Sequence, residues 1–324
     1  MTIRLFRINA NTFEQEEDID SVLSFSWKDN LNQVFASFNF TSTQRYNCGD
    51  RIQLFDDFSQ ETVLFGVITR VTQDKLDTLR YEGFDYGYYL VKNTAVIQFE
   101  RQTITNAMIN LCTRYGFRAG NIQDIPQQVT KIYRGESLDS ILMDLYRIAV
   151  NNGLRNRFYF DCRNGSVNLF PYQRNDNLRG YIANSYSINS FGNIMGLNNS
   201  QTIDNLKNRI ELWSSEPTDE SPILIAPDQT SIERFGLLNQ VETVNPNLVN
   251  NIEEYIVNRL NSLNQVTESF SLTVYSDFHL HKGVFFQIDN ERIDMNGLFL
   301  VTSSEHIING TEELVNVTLE RFRN

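Results

Sequence analysis

The side chains able to do chemistry in this sequence are few and poorly placed for it. Nucleophilic catalysis needs an activating base beside Ser or Cys, and only three histidines are available, His279, His281 and His306. His279 and His281 stand one residue apart in a stretch that reads as strand or loop. Two imidazoles alone do not complete a metal site, so this pair reads as surface or interface histidines. Cys48, Cys112 and Cys162 are far apart, odd in number and without CxxC spacing. They read as buried small hydrophobes rather than as a disulfide framework or a metal site. Asp56-Asp57 and Glu253-Glu254 have the residue type for acid/base work on a glycosidic bond, but adjacent acids on a hairpin tip or a helix face read as solvated charges. Gly83 and Gly87 flank aromatics outside any phosphate-cradling GxGxxG pattern. Tyr86, Tyr88 and Tyr89 could stack on sugars or bases, yet packing is their simpler use. The sequence predicts no catalytic, metal or cofactor residues.

Composition narrows the partners. The 324 residues carry 28 Lys and Arg against 40 Asp and Glu, a formal charge of −12, which argues against a protein that binds a phosphate backbone through clustered cations. Such a surface would repel a passing polyanion, which suits a conduit. No run approaches the roughly 18 apolar residues of a membrane span, and "MTIRLFRINANTF" lacks the apolar core of a signal peptide, so a protein made and folded in a cytoplasm is expected. The length suggests two or three domains.

What must position these residues is mainly β structure. "FASFNFTST" alternates Phe38 and Phe40 with small polar residues, and strands are predicted over 49–54, 63–71 and around Leu79, Tyr81 and Phe84. Four or more antiparallel strands with one greasy face suggest a barrel or a sandwich. Near Arg101 the period changes. Met108, Leu111, Cys112 and Tyr115 fall at helical spacing, with Thr105 as N-cap and Gly116 as stop. Leu138, Ile141, Leu142, Leu145 and Ile148 mark a second helix ended by Gly153. Arg163-Asn164-Gly165 then reads as a hairpin turn with positive φ at Asn and Gly. Leu248, Ile252, Ile256, Leu260 and Leu263 share one face of a third helix over 247–265, with Pro246 near its start.

One unit occurs twice. "CGDRIQLFDDFSQETVLFGVITRV" and "KGVFFQIDNERIDMNGLFLVTSSEHI" each open on a Gly, pass a polar turn and return on Leu-Phe, and 16 residues separate Gly49 from Phe65 as they do Gly283 from Phe299. A trimer of such a chain would display six similar β-units in a ring. That arrangement matches a sixfold partner on one side to a threefold partner on the other.

The ordered set of motifs resembles a known family. "GDRIQLFDDFSQETVLFGVITRV" with "LRYEGFDYGYYLVKN" resembles the first tube domain of phage baseplate hub proteins of the late control gene D group, in the XkdQ/YqbQ-type branch, whose members share tube domains with T-even phage hubs. "TITNAMINLCTRYGF", "KIYRGESLDSILMDLYRIAVNNG" and "RFYFDCRNGSVNLFPY" resemble its middle domain. "DNLKNRIEL" and "PDQTSIERFG" are similar to the passages before its final tube domain. The resemblance implies a mainly β protein with α+β insertions: an antiparallel β-barrel tube domain over 1–97, an α+β middle domain over 98–173, and a second such barrel over 174–324 interrupted at about 216–265. It further implies a homotrimeric ring of pseudo-sixfold symmetry that joins the tail tube protein to the central spike protein and meets baseplate wedge proteins. The particle would be a contractile phage tail or a bacteriocin assembled in the bacterial cytoplasm, with no cofactor, no catalysis, no specific nucleic-acid binding and no membrane insertion by this chain. The loop Asp56, Asp57, Phe58, Ser59, Gln60 and Glu61 is the candidate contact with the adjoining ring. Excess carboxylates are expected to line part of the lumen, and the third helix to face wedge or sheath proteins or to pack internally.

Two other readings are open. "YRGESLDSILMDLYRIA" has some likeness to a LysM unit, which would make the chain a monomeric peptidoglycan-binding or cell-wall-degrading module. A tail-tube or tail-completion subunit would be hexameric with one β domain per chain, and two units in one chain argue against it.

Overall fold

The computed structural model describes residues 3–10, 15–18, 22–56, 60–73, 77–174, 194–215, 221–245, 251–275, 280–290, 295–310 and 312–322. The chain forms two compact units, one of residues 1–198 with 270–324 and one of residues 199–269.

Period-two alternation builds the start of the larger unit. Its strands are β1 (Ile3–Ile8), β2 (Gln15–Asp18), β3 (Val22–Asn30), β4 (Ser37–Ser42), β5 (Arg51–Asp56), β6 (Glu61–Gln73) and β7 (Leu79–Asp85). Inward positions bury Phe25, Trp27, Phe38, Phe40, Ile52, Leu54, Leu64, Ile68 and Tyr81 in one core, while the intervening positions are largely polar. Gly66 and Gly83 are small because Phe38 needs the space: a Cβ would lie 2.5 and 2.2 Å from its ring.

Next come α1 (Tyr88–Lys92), β8 (Thr94–Thr103), α2 (Ile104–Arg114), β9 (Ala119–Ile122), β10 (Gln128–Ser137), α3 (Leu138–Asn151), β11 (Phe158–Asp161) and β12 (Val167–Pro171). The helical stripes meet in a core that includes Met108, Leu111, Leu138, Ile141, Leu142 and Leu145. Gly116 and Gly153 end the two helices with φ of 77° and 87°. The N-cap of α2 is Thr103, not Thr105: the Thr103 hydroxyl accepts from the Asn106 amide, whereas the Thr105 hydroxyl accepts from the Ile125 amide at 2.7 Å. The Asn164-Gly165 turn also differs from expectation. Only Gly165 has positive φ, and the connection between β11 and β12 is longer than two residues, held by Asn164 Oδ1 accepting from the Ser166 amide.

After β13 (Gln173–Arg174) and β14 (Ile194–Thr202), the smaller unit contains β15 (Arg209–Ser214), β16 (Leu224–Pro227), α4 (Gln229–Phe235), β17 (Asn239–Val244) and α5 (Ile252–Leu263). It takes in β15 as well as the stretch about 216–265, because β15 pairs antiparallel with β16 and parallel with β17. Its third-helix stripe is internal: Ile256 is buried, and Ile252, Leu260 and Leu263 pack with Ile210 and Leu212. The N-cap is Asn251, which accepts from the Glu254 amide at 3.1 Å; Pro246 and Leu248 lie outside the described residues.

The chain ends with β18 (Thr267–Tyr275), β19 (Val284–Asn290), β20 (Met295–Asn309) and β21 (Glu312–Arg321) around a core of Phe270, Leu272, Phe286, Phe299, Val301 and Val317. The two β regions share one 13-stranded sheet, whose main path runs β14-β18-β21-β20-β3-β4-β7-β6-β5-β1-β2 with β19 beside β20. Strand β20 changes partner along its length. Residues 295–300 pair with β19 and residues 303–309 with β3, and a bulge against β21 falls between Val301 and Ser303.

The repeat is therefore a repeat of topology. The order β3-β4-β7-β6-β5 in the first array corresponds to β14-β18-β21-β20-β19 in the second. Gly49 and Gly283 open equivalent strands with φ of 94° and 82°, where a side chain is disfavoured. Each donates its amide to the returning strand, Gly49 to the Ile68 carbonyl at 2.8 Å and Gly283 to the Val301 carbonyl at 3.0 Å.

Candidate functional site

The residues singled out from the sequence do not converge. His279, Asp57, Phe58 and Ser59 lie outside the described residues. Asp56 ends β5 and is 3% exposed, so it is not a solvated charge; Glu61 is exposed, and Gln60 takes φ of 59° while donating its amide to the Asp56 carbonyl. Glu253 and Glu254 are exposed in the first turn of α5, where negative charge complements the helix N-terminus. Tyr86, Tyr88 and Tyr89 pack on one another and on Phe84 and Phe65. Cys112 and Cys162 are buried, but Cys48 is exposed, since it sits on the turn before Gly49 rather than on an inward strand position. Burial pushes the Cys112 thiol up to about 12.

His306 is buried. Its ring stacks on Trp27 with centroids 4.4 Å apart and planes 1° from parallel. His281 is half-buried against Tyr159. Burial holds His306 down to about 3, with Asp29 opposing the shift and Arg163 adding to it. His306 is thus neutral and a weak base. Ser304, two residues away, donates instead to Asp29 Oδ1 at 2.8 Å, and with all three buried this Ser, His and Asp set has neither the base strength nor the access that hydrolysis needs.

What the fold does assemble is a buried charge cluster at the joint of β3 and β20. Asp29, on an inward position of β3, accepts from the Ser304 amide at 3.2 Å as well as from its hydroxyl, and the Ser303 hydroxyl donates to the Asp29 carbonyl at 2.7 Å. The Arg163 guanidinium places Nη2 and Nε 2.6 and 3.0 Å from Asp161 Oδ2, and Nη1 3.8 Å from Asp29 Oδ2. Lys282, 1% exposed, donates to the carbonyls of Gln33 at 2.9 Å and Asn30 at 3.3 Å. Asp85 accepts from the Gly87 amide at 2.9 Å, while its Oδ2 is buried without a partner among the described residues. Burial tends to raise the Asp161 carboxyl, yet the Arg163 charge and hydrogen bonds hold it down to about 2. For Asp85 burial outweighs the Lys282 charge and raises it to about 7.

Below about pH 7, where Asp85 is protonated, its own charge is removed from the interior, and Asp161 is left facing the Arg163 guanidinium. The network joins the first array, the segment after β11 and the second array, and the Phe65 amide adds a bond to the Arg163 carbonyl at 2.6 Å. Its role is structural, a clamp: Asp29 on β3 bonds to Ser303 and Ser304 on β20 and so ties the two strands where they pair. Period-two reading carried the signal, since Phe25 and Trp27 facing inward put Asp29 inward, and Tyr81 does the same for Asp85.

Asp85→Asn should therefore change stability with a sign that depends on pH. A folded value of about 7 against about 3.9 unfolded means that stability is lost as pH rises through this window. The amide keeps an acceptor for Gly87 and carries no charge. Chemical denaturation should show the variant more stable at pH 8, on the order of 2–4 kcal/mol, and this gain should vanish near pH 4.5. A gain independent of pH would show that Asp85 is not held protonated. His306 acts in the opposite direction, withdrawing stability as pH falls from about 6.5 towards 3.

A profile of the family described as YQBQ-like matches residues 25–320, from within β3 to within β21. The chain belongs to the YQBQ-like family. This is the family to which its motifs pointed. The fold of this YQBQ-like chain is similar to that of the tail protein from Neisseria meningitidis MC58, with a TM-score of 0.72 at 12% identity, covering 99% of this chain and 97% of that one. It is similar as well to the 43 kDa tail protein of prophage MuSo2 from Shewanella oneidensis, with a TM-score of 0.68 at 12% identity and 98% of each chain covered. The prophage tail protein gp18 from Listeria monocytogenes EGD-e follows with a TM-score of 0.58 at 12% identity, covering 99% of this chain and 95% of that one. Such identities establish a shared fold over nearly the whole chain. No curated protein sequence matches this one.

Proposed function

We propose that this chain is the structural baseplate hub of a contractile injection particle, a phage tail or a bacteriocin. Three copies form a ring in which the two β arrays of each chain act as quasi-equivalent tube domains, one over residues 1–97 and one over 174–324, with 98–173 as a middle domain between them. The ring joins a sixfold tail tube to a threefold central spike, continues the tube lumen and meets wedge proteins. The chain itself carries out no catalysis. The observation that carries this reading is the repeated strand order, marked in both copies by a left-handed glycine, Gly49 and Gly283. A chain that repeats one topology can present two similar surfaces per copy and six per trimer. The buried clamp supports it, because two arrays can serve one ring only if their relation is fixed. Gln60 and Glu61, with Asp57, Phe58 and Ser59, are the proposed contact with the adjoining ring.

The sheet face turned away from the cores fits a passage that does not hold its cargo. Thr273, Asn316, Ser26 and Asn39 lie on it, Lys28 stands opposite Glu305, and Glu82 lies within 3.4 and 3.6 Å of Arg70 and Arg80. In this reading balanced charge and short polar groups line part of the passage, and the excess carboxylates expected in the lumen would lie elsewhere along it. Light scattering of the purified chain should give a mass near three times 37.6 kDa. A stable monomer that sediments with purified cell walls would instead support the peptidoglycan-binding reading.

A further inference from the structure

The acidity of the chain is concentrated in its smaller unit. Residues 199–269 hold 11 of the 40 Asp and Glu but only four of the 28 Lys and Arg, a formal charge of −7 out of −12. Two of those four cations are engaged inside the unit, Arg209 with Glu211 at 2.9 Å and Arg259 with Glu242 at 2.7 Å.

One side of the sheet of this unit packs against α5. Ile210 and Leu212 point to the core shared with α5. The opposite face carries Ile225, Glu211 and Val241 in one row across β16, β15 and β17, and Ile225 and Val241 are 41% and 56% exposed. Trp213, paired with Thr243 on the same face, is half-buried, with its Nε1 sequestered from solvent and without a partner among the described residues. Two exposed β-branched aliphatics beside an indole have the composition of an interface centre.

We propose that this open face is a docking surface for a basic partner protein, one that presents an apolar contact ringed by Lys and Arg. Charge decides among the occupants. A second copy of the same unit would bring −7 against −7, and an anionic membrane or a nucleic acid would be repelled likewise, whereas a cationic protein surface is both attracted and oriented. The inference rests on the proposed function in one respect: the partner is taken to be another protein of the same particle.

The test places a benzophenone amino acid at position 241 of the full chain and irradiates intact particles purified from a producing strain. The expected product is a cross-link to a different polypeptide, within a segment rich in Lys and Arg. Val241→Lys should lower recovery of that polypeptide in particles by tenfold or more, while the far-ultraviolet circular dichroism and the denaturation midpoint of the variant stay unchanged, since the site is exposed. Particles that contain the chain but give no cross-link from position 241, or a cross-link only to another copy of it, would overturn this inference alone. Absence of the chain from the particles would overturn the proposed function and, with it, the partner named here.

Discussion

Replacing Arg163 with Met should cost the folded chain about 3–5 kcal/mol, because the substitution leaves the carboxylates of Asp161 and Asp29 buried without their common cation. Asp161 loses the guanidinium bonds at 2.6 and 3.0 Å, keeping the 2.9 Å bond from the backbone amide of residue 163, and Asp29 loses the charge that faces its Oδ2. The mechanism is removal of one partner, not the net value of the pair. Neutralising the carboxylates as well should therefore recover much of the loss: Arg163→Met combined with Asp161→Asn and Asp29→Asn is expected to unfold at a higher urea concentration than Arg163→Met alone. A single variant within about 1 kcal/mol of the parent would mean that water reaches the cluster, and the clamp would have to be abandoned.

The second large effect separates the two copies of the repeat. Gly283→Ala should destabilise by about 2–5 kcal/mol, combining the cost of a left-handed residue with overpacking. Its Cβ would fall 2.2 Å from Cδ1 and 2.8 Å from Cγ of Tyr159, a ring that is itself 3% exposed and has little room to move. Gly49→Ala meets only Ala10 at 3.7 Å, so it should cost only the backbone contribution, about 1–2 kcal/mol. Equal effects at the two positions would show that Tyr159 does not press on the second copy. The comparison holds residue type and φ nearly constant and varies only the packing.

The repeat was legible in the sequence because its marks are local. A left-handed backbone position demands glycine, and the polar turn and the returning Leu-Phe stand at fixed spacing from it. The helical stripes around Leu111 and Leu142 were legible for the same reason, as were the stops at Gly116 and Gly153. Caps were less so: Thr103 and Thr105 have the same side chain, and only the backbone direction decides which one caps α2. The joint of β3 with β20 could not be read, because its partners are as much as 275 residues apart and no local pattern encodes which strands meet. That joint is what buries His306 and assembles Asp29, Arg163 and Lys282. Charged residues at inward strand positions were the visible sign, but each alone reads as an edge or surface charge until its partner is known.

The measurement that tests the hub reading most directly is electron microscopy of isolated particles, with the density at the tube-to-spike junction averaged without imposed symmetry. The reading predicts a ring of three copies with six similar β lobes around an open channel, each pair of lobes connected through the β3–β20 joint. A ring of six copies with one lobe each, or particles in which this chain lies outside the axial channel, would contradict it.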